Sequence, residues 1–256
     1  MNQKHRILNV HCLPRDVAEE ELVGSTVVVI DLLRATSTIC QALASGAREV
    51  IPFLEVEEAV MAAEAAGRSE VVLGGERKGG RIPGFDVGNS PCEYAPELVT
   101  GRRVFFTTTN GTRALHHARL ARRIVVGAFV NLSAVVMSVQ DESRVDILCA
   151  GTGGGKTRED ILAAGAIASR LADLWGESCE FNAEANAARN EWAKVLANAQ
   201  ASGRPLNVQV AIELQDTQGG RNLLAIGLNR DLVDCAQIDH LSVVPELNVP
   251  HWRITA

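Results

Sequence analysis

Short β-branched segments alternate with alanine-rich helical patterns along most of this chain, and this alternation strongly limits how it can fold. The apolar run Thr26–Ile30 is followed by a helical pattern that stops near Gly46. A fully apolar strand that leads into a crossover helix is typical of a parallel sheet buried on both faces. We therefore predict an α/β fold of three layers, α/β/α, around a mostly parallel or mixed sheet.

The same patterns predict the remaining elements. Further strands are expected over residues 49–53, 71–73, 104–107, 124–126 and 145–149, with a short final strand over 243–245. Helices are expected over residues 56–66 and 182–201, from residues 112, 132 and 158, and around residues 211 and 222–228. Between residues 74 and 100 the periodicity fails, and long irregular segments inside compact domains are often functional. We predict a single domain over residues 1–256, with two close-packed subdomains as the alternative.

The composition excludes several classes of partner. With 256 residues, 46% of them hydrophobic, the chain can bury a full core. The net charge of -6, the absence of a basic block and the aromatic content of 4% argue against a nucleic-acid partner. The chain shows no signal core and no apolar run of membrane-spanning length, so we expect a cytoplasmic protein without a membrane partner. Six widely spaced cysteines indicate reduced thiols, and a homodimer is one possible assembly.

A polar turn follows the apolar strand that ends at Phe106. It contains four threonines, an amide, a glycine and an arginine: Thr107, Thr108, Thr109, Asn110, Gly111, Thr112 and Arg113. A strand-to-helix turn presents backbone N–H groups and the positive end of a helix dipole. Hydroxyl donors and a guanidinium suit a phosphate or a carboxylate. The turn therefore predicts an anion pocket.

Asp31 directly follows the apolar strand Thr26–Ile30, and Arg34 comes three residues later. Open α/β sheets bind ligands at the carboxyl ends of their strands, and a carboxylate in that place suits Mg²⁺. A helix cap or an ion pair with Arg34 is an equally good interpretation. Leu33 stands where the common aspartyl-phosphate phosphatases have their second aspartate, so that class is not supported.

The irregular segment supplies a second group of polar residues. Glu76 follows a strand directly, Arg77 lies beside it, and Asp86, Asn89 and Ser90 come farther along. The last three are spaced as a turn that hydrogen-bonds its own backbone, which is the simpler interpretation for each residue alone. The clustering of an acid, an arginine and amides in one loop favours a functional site.

A glycine-rich stretch over residues 150–157 runs from a strand into a helix. Ala150 occupies a position where the P-loop pattern requires glycine, so the match fails by one residue. The remaining glycines would still leave N–H groups for an anion. Thr157 and Asp160 resemble an N-cap pair, which explains Asp160 but not its neighbour Glu159. A metal site that uses both acids is the alternative.

Several separated blocks of this chain resemble one family. The blocks are D-x-x-R-A-T at residues 31–36, G-G-E-R at 74–77, G-F-D-x-G-N-S-P at 84–91, T-T-T-N-G-T at 107–112, C-A-G at 149–151 and E-D at 159–160. In their order and identity they resemble the 2-phosphosulfolactate phosphatase family, also called the ComB family, over most of the chain. One departure is the loop over residues 153–158, which replaces a more usual glutamate- and aromatic-containing loop.

The resemblance implies a ComB-like α/β fold and a Mg²⁺-dependent phosphatase. The implied reaction hydrolyses 2-phospho-3-sulfolactate, or a related 2-phospho-2-hydroxy acid, to the hydroxy acid and phosphate. This reaction is a step of coenzyme M biosynthesis. The implied partner is therefore a small, phosphorylated, acidic substrate, and the departing loop bears on which substrate that is.

Three groups of site residues follow as hypotheses. The catalytic candidates are Asp31, Glu76, Asp86 and Asn110. The candidates for holding Mg²⁺ are Asp31, Glu76, Asp86, Glu159 and Asp160. The candidates for binding substrate are Arg34, Arg77, Asn89, Ser90, Thr107, Thr108, Thr109, Gly111, Thr112 and Arg113. Two other functions stay open: a nucleotide-dependent kinase or ATPase that uses residues 151–157, and a non-catalytic binder of small phosphorylated or sulfonated acids.

Overall fold

The computed structural model describes residues 5–256. The expectation of no signal core concerns an amino terminus whose residues 1–4 lie outside the described part. The strands are β1 (Arg6–His11), β2 (Thr26–Ile30), β3 (Glu49–Pro52), β4 (Val71–Arg77), β5 (Gly80–Arg81), β6 (Arg103–Thr107), β7 (Arg123–Val126), β8 (Arg144–Cys149), β9 (Cys179–Phe181), β10 (Glu246–Asn248) and β11 (Arg253–Thr255). The helices are α1 (Ala35–Ala44), α2 (Val56–Ala66), α3 (Pro96–Val99), α4 (Gly111–His117), α5 (Leu132–Val139), α6 (Arg158–Trp175), α7 (Ala183–Ser202), α8 (Leu206–Gln215), α9 (Gln218–Ala225) and α10 (Asn229–Cys235).

The strands form one mixed sheet in the order β5-β4-β6-β3-β11-β10-β7-β2-β8-β1-β9. Strands β4, β6 and β3 are mutually parallel, and so are β7, β2, β8, β1 and β9. The hairpin β10–β11 joins these two halves through antiparallel pairings with β7 and β3. The three antiparallel pairings in succession make the two halves run in opposite senses along the sheet. The α/β fold with a mixed sheet is confirmed.

The predicted final strand over residues 243–245 is wrong, because β10 begins at Glu246. Pro245 has no N–H group to donate to a ladder, and its carbonyl accepts a hydrogen bond from the Val126 amide at 2.8 Å. The chain therefore reaches β7 at Pro245 but pairs as a strand only afterwards. The sequence patterns also missed the short or half-polar strands β1, β5, β9 and β11.

Strand β4 continues four residues beyond its predicted end and carries Glu76 and Arg77 within it. The two glycines that hid this continuation are required by close packing. A Cβ on Gly74 would lie 2.2 Å from the Tyr94 hydroxyl, and one on Gly75 would lie 2.0 Å from the carbonyl oxygen of Thr107. Glycine inside a strand often marks such a close approach of two backbones.

Hydrophobic residues cover both faces of the sheet. On β4, Val71 and Leu73 pack with Ala59 and Ala63 of α2 in a small cluster, whereas Val72 belongs to the main core. Because successive strand residues point to opposite faces, this division places helices and loops on both sides, as a three-layer arrangement requires. The main core contains residues from the first strand to the last, and the division into domains stays a prediction.

All six cysteines are free thiols, as expected, and four of them are buried. Within residues 5–256, no helix combines the length and the apolar character that crossing a membrane requires.

Helix α6 carries two of the candidate acids and packs closely against α7 through Gly165. A Cβ at Gly165 would lie 2.1 Å from the carbonyl oxygen of Ala188 in α7. We expect Gly165→Ala to lower the free energy of unfolding by about 1–3 kcal/mol, because the helices must move apart. Urea denaturation measures this change. The matched control is Ser169→Ala in the same helix, which should leave stability nearly unchanged; equal stability of both variants would contradict the close packing.

Candidate active site

Loops from both halves of the sheet enclose a cavity with a volume of about 290 Å³. We call it the acidic cavity. Residues after β2, within and after β4, after β6, after β8 and in α9 line it: Asp31, Leu33, Arg34, Glu76, Lys78, Gly79, Asn89, Thr109, Asn110, Thr152, Gly153, Gly219, Asn222, Leu223 and Ile226. The cavity therefore combines side chains that lie as much as 195 residues apart in the sequence, counted from Asp31 to Ile226.

A close approach of two loops brings the halves of the sheet together at this cavity. A Cβ on Gly111, the first residue of α4, would lie 2.6 Å from the Ala35 side chain and 2.8 Å from Asp31 Oδ2. The absence of a side chain at Gly111 thus allows the turn after β6 to pack directly on the carboxylate after β2. The two strands belong to opposite halves of the sheet, so the site does not rest on adjacent strands alone.

Asp31 is buried where these two loops meet, with 8% of its surface exposed. Burial, followed by the negative charge of Glu76, raises the pKa of Asp31 to about 7, although a hydrogen bond from the Ala35 amide opposes the change. Glu159 adds a further negative charge that acts in the same direction. In such surroundings the ionised carboxyl group is destabilised, and binding of a proton or a metal cation stabilises it.

Glu76 uses both carboxylate oxygens to hold backbone. Its Oε2 accepts a hydrogen bond from the Gly79 amide at 2.7 Å, and its Oε1 accepts one from the Thr109 amide at 2.8 Å. The side chain therefore fixes the hairpin β4–β5 to the turn after β6. Each oxygen keeps a further lone pair that a ligand in the cavity can use.

Asp160 acts in the same way on the other side. Its Oδ1 accepts from the Leu32 amide at 2.8 Å, and its Oδ2 accepts from the Gly151 amide at 2.9 Å and from the Thr157 hydroxyl at 3.2 Å. Thr157 is the N-cap residue of α6, but its hydroxyl donates to Asp160 and makes no capping bond to the helix backbone. Burial, followed by the charge of Asp31, raises the pKa of Asp160.

Glu159 leaves one oxygen free. Its Oε1 accepts a hydrogen bond from the Gly219 amide at 2.9 Å, whereas the buried Oε2 has no hydrogen-bond partner. The buried Asn89 Oδ1 and Thr109 Oγ1 are also without a partner, and both residues line the acidic cavity. Burial raises the pKa of Glu159. The two partnerless oxygens at the cavity, and that of Glu159 next to the cavity-lining Gly219, suit a cation or a ligand that supplies donors.

Asp86 lies outside this group, so the structure does not bring together all the acids that the sequence suggested. Its Oδ1 pairs with Arg68 Nη2 at 2.6 Å, and its Oδ2 accepts from the Leu73 amide at 2.8 Å. The segment after β5 folds back along β4, with a bridge between Gly74 and Val87. The exposed Asp86 in this segment does not line the acidic cavity. Its hydrogen bond with Leu73 therefore attaches the turn around Asp86 to β4.

Arg34 is buried and already neutralised. Its Nη1 pairs with Asp231 Oδ2 at 2.8 Å and donates to Ser90 Oγ at 3.0 Å, while its Nη2 donates to the Gly79 carbonyl at 2.7 Å. Ser90 in turn donates to Asp231 at 2.8 Å. Asp231 in α10 was missed by sequence reasoning, because it lies 197 residues from Arg34 in a pattern typical of an ordinary surface helix.

Arg77 and most of the hydroxyls of the threonine turn are also occupied. Arg77 Nη2 donates to the Leu54 carbonyl and to Thr107 Oγ1, each at 2.9 Å. Thr108 Oγ1 accepts from the Thr112 amide at 3.2 Å, and the Thr112 hydroxyl donates to the Thr108 carbonyl at 2.8 Å. These bonds shape the turn, so only Thr109 brings an unpaired hydroxyl to the acidic cavity.

Three backbone amides of the glycine-rich loop donate hydrogen bonds within the protein. The Gly151 amide donates to Asp160, and Thr152 and Gly155 exchange amide–carbonyl hydrogen bonds at 3.0 and 2.9 Å. Its cations are also paired, Lys156 with Asp16 at 3.3 Å and Arg158 with Glu213 at 2.9 Å. A P-loop needs such amides to point freely at phosphates. This loop therefore lacks the donor arrangement of a nucleotide cradle.

The acids of the cavity do not form a tight cage. Within residues 5–256, three ligand atoms of His, Cys, Asp or Glu lie within 4.8 Å of one another only at Cys92, Asp231 and Asp234, a group that includes none of these acids. Mg²⁺ commonly takes one or two carboxylates and completes its shell with water and phosphate oxygens. The free oxygens of Asp31 and Glu159 therefore suit Mg²⁺ better than an ion that needs an all-protein shell.

Comparison with known proteins gives one consistent result. A family model described as 2-phosphosulpholactate phosphatase matches residues 12–250. A probable 2-phosphosulfolactate phosphatase of Symbiobacterium thermophilum is 40% identical over 227 residues, which cover 88% of this chain and 92% of the relative. One of Caldanaerobacter subterraneus is 38% identical over 233 residues, covering 90% and 91%. One of Parasynechococcus marenigrum is 39% identical over 226 residues, covering 87% and 89%.

The raised pKa of Asp31 predicts how stability depends on pH. The folded protein holds a proton on Asp31 more tightly than the unfolded chain, so without metal the free energy of unfolding should fall as the pH rises from the ordinary value of 3.8 to about 7. Asp31→Asn removes this titration and should exceed the wild type in stability by about 2–4 kcal/mol at pH 8, but not at pH 4.

Urea denaturation in the presence of a chelator measures this difference at both pH values. Asp141→Asn, at an exposed turn, is the matched control and should leave the pH dependence unchanged. A constant difference between the Asp31 variant and the wild type at both pH values would contradict the buried titration.

Proposed function

Because the chain belongs to the 2-phosphosulfolactate phosphatase family, it is a phosphoric monoester hydrolase, and we propose that Mg²⁺ supports its reaction. The proposed substrate is 2-phospho-3-sulfolactate or a closely related 2-phospho-2-hydroxy acid. The observation that carries the proposal is the buried, partnerless oxygen of Glu159, a residue that holds the cavity-lining Gly219 and whose charge helps to raise the pKa of Asp31 to about 7. The place of the reaction in coenzyme M biosynthesis stays a prediction.

The proposed ion site uses Asp31 and Glu159, because each accepts a hydrogen bond from only one neighbouring segment, through the amides of Ala35 and Gly219, and keeps acceptor capacity for an ion. The partnerless Asn89 Oδ1 and Thr109 Oγ1 are further acceptors at the same cavity. All these candidate metal ligands are oxygen atoms, the ligand type that Mg²⁺ prefers. Bound Mg²⁺ would neutralise phosphoryl charge and lower the pKa of a water molecule.

The protein's own residues hold the loops around the cavity in place and offer a hydrogen-bond donor to the substrate. Glu76 and Asp160 hold four backbone amides in place, so the loops around the cavity keep their geometry during the reaction. Asn110 lines the cavity beside Thr109 and can donate its side-chain amide to a phosphoryl oxygen. Without the ion the pKa of Asp31 is about 7, so Mg²⁺ would displace a proton from this carboxyl group when it binds near neutral pH.

The two other functions have less support. A nucleotide-dependent kinase or ATPase would need free amides over residues 151–157, and those of Gly151, Thr152 and Gly155 are occupied. A non-catalytic binder would keep the same cavity, so only turnover separates it from a phosphatase. Binding of a 2-phospho acid without phosphate release in the presence of Mg²⁺ would favour the binder.

Phosphate release tests the reaction directly. The wild type should release phosphate from 2-phospho-3-sulfolactate with Mg²⁺ and lose this activity with a chelator. Asp31→Asn should lower kcat by about 100-fold or more, because it removes the carboxylate from the centre of the site. Asp86→Asn should keep most of the turnover, because its side chain lies outside the cavity. A reversal of these two results would move the catalytic centre away from Asp31.

Ion binding gives a test that does not depend on turnover. Titration calorimetry with MgCl₂ alone should show a dissociation constant about tenfold or more weaker for Glu159→Gln than for the wild type, because a charged oxygen ligand is lost. Asp141→Asn removes an exposed charge of the same sign and should bind Mg²⁺ as the wild type does. Equal affinity of the wild type and the Glu159 variant would remove Glu159 from the ion site.

A further inference from the structure

A second cavity adjoins the acidic one and carries the opposite charge. It has a volume of about 240 Å³, and Leu13, Pro14, Arg15, Asn110, Arg113, Ala150 and Gly154 line it. We call it the arginine cavity. Asn110 lines both cavities, so the two adjoin at this residue. This arrangement raises the question of whether one small ligand uses both cavities.

The two arginines of this cavity have no partner within the part of the chain that the structure describes. Arg15 and Arg113 are both exposed, and neither guanidinium forms an ion pair or a hydrogen bond there. Arg34, by contrast, is buried against Asp231. Two free guanidinium groups on one small cavity are chemically suited to a strong, fully ionised anion.

The distribution of charge around the acidic cavity favours such a site elsewhere. Asp31, Glu76 and Glu159 are negative groups around it, while its lining cations are Arg34, which is already paired, and Lys78. The lysine is a single exposed charge at the tip of the β4–β5 turn. A substrate with three anionic groups would be repelled there unless one group found cations beyond the acids.

The glycine-rich loop shapes the arginine cavity. A Cβ on Gly154 would lie 3.6 Å from Arg15 Nη1, in ordinary contact, and any longer side chain would extend towards the guanidinium. Gly154 has a φ of +78°, a conformation that side-chain-bearing residues rarely adopt. The loop over residues 153–158 thus leaves room beside Arg15 and bears on what this cavity can accept.

We propose that Arg15 and Arg113 bind the second strong acid group of the substrate, the sulfonate, and thereby select sulfonated 2-phospho acids over those that lack a sulfonate. This proposal rests on the proposed phosphatase function. It divides the substrate between two cavities: the phosphoryl group lies with the acids and their cation, and the sulfonate lies with the arginines. Arg15 and Arg113 are then specificity-determining residues that do not touch the reacting bond.

The test compares two substrates that differ only in the sulfonate, 2-phospho-3-sulfolactate and 2-phospholactate, with Mg²⁺ present. Arg15→Gln and Arg113→Gln should each lower kcat/KM for the sulfonated substrate by about 10- to 100-fold, the effect of losing a charge-assisted hydrogen bond. The same variants should change kcat/KM for 2-phospholactate by less than about threefold. Arg48→Gln, at an exposed arginine that lines neither cavity, is the matched control and should change neither value.

The pattern of results separates the failure of this proposal from that of the phosphatase. Equal losses on both substrates would overturn the sulfonate site, because the arginines would then act on the shared part of the substrate. If the wild type releases no phosphate from either compound, the phosphatase proposal fails, and calorimetry with 3-sulfolactate and lactate then decides the site. Tighter binding of 3-sulfolactate that both arginine variants abolish would support the site, and equal binding of the two acids would overturn it.

Discussion

The burial of several carboxylates around one small cavity is the constraint on which the rest of this structure depends. Removing a carboxylate from water is costly unless hydrogen bonds or opposite charges replace the water. Glu76 and Asp160 meet this cost with backbone amides of Gly79, Thr109 and Leu32, among others. Because each acid accepts amides from two segments, the solution that satisfies the charge also fixes the loops to one another. The same hydrogen bonds therefore stabilise the buried charges and fix the positions of the loops.

This coupling explains how a mixed sheet can build one site. The two parallel halves run in opposite senses, and the β10–β11 hairpin lies between them. Sheet twist alone gives no reason for the turn after β6 to meet the turn after β2. The contact needs Gly111, where a Cβ would fall 2.8 Å from Asp31 Oδ2, and it needs Glu76 to hold Thr109. Glu76 lies in the G-G-E-R block over residues 74–77, and Thr109 and Gly111 lie in the T-T-T-N-G-T block over residues 107–112.

The sequence predicted the fold class and six of the residues that line the acidic cavity, but not how the candidate residues divide their roles. Strong periodicity located β2 and α6, whereas Pro245 and the Gly74–Gly75 pair misled the strand boundaries because local patterns ignore packing. Clustered polar motifs located the acidic cavity, yet nothing local distinguishes Asp86, which holds a turn, from the acids of the cavity. Asp231 could not be found at all, because its role depends on a contact with distant Arg34.

The separation of charge into two adjoining cavities has a chemical consequence for the reaction. Acids that gather a cation would repel a free sulfonate, and arginines placed among those acids would be neutralised, as Arg34 is by Asp231. Arg15 and Arg113 line a cavity of their own, so within residues 5–256 each guanidinium stays without an acidic partner and could serve the proposed sulfonate site. A substrate with one anionic group could use only one of the two cavities. A substrate with anionic groups on neighbouring carbons can use both, and binding energy from the distant group then helps to place the phosphoryl group at the acids.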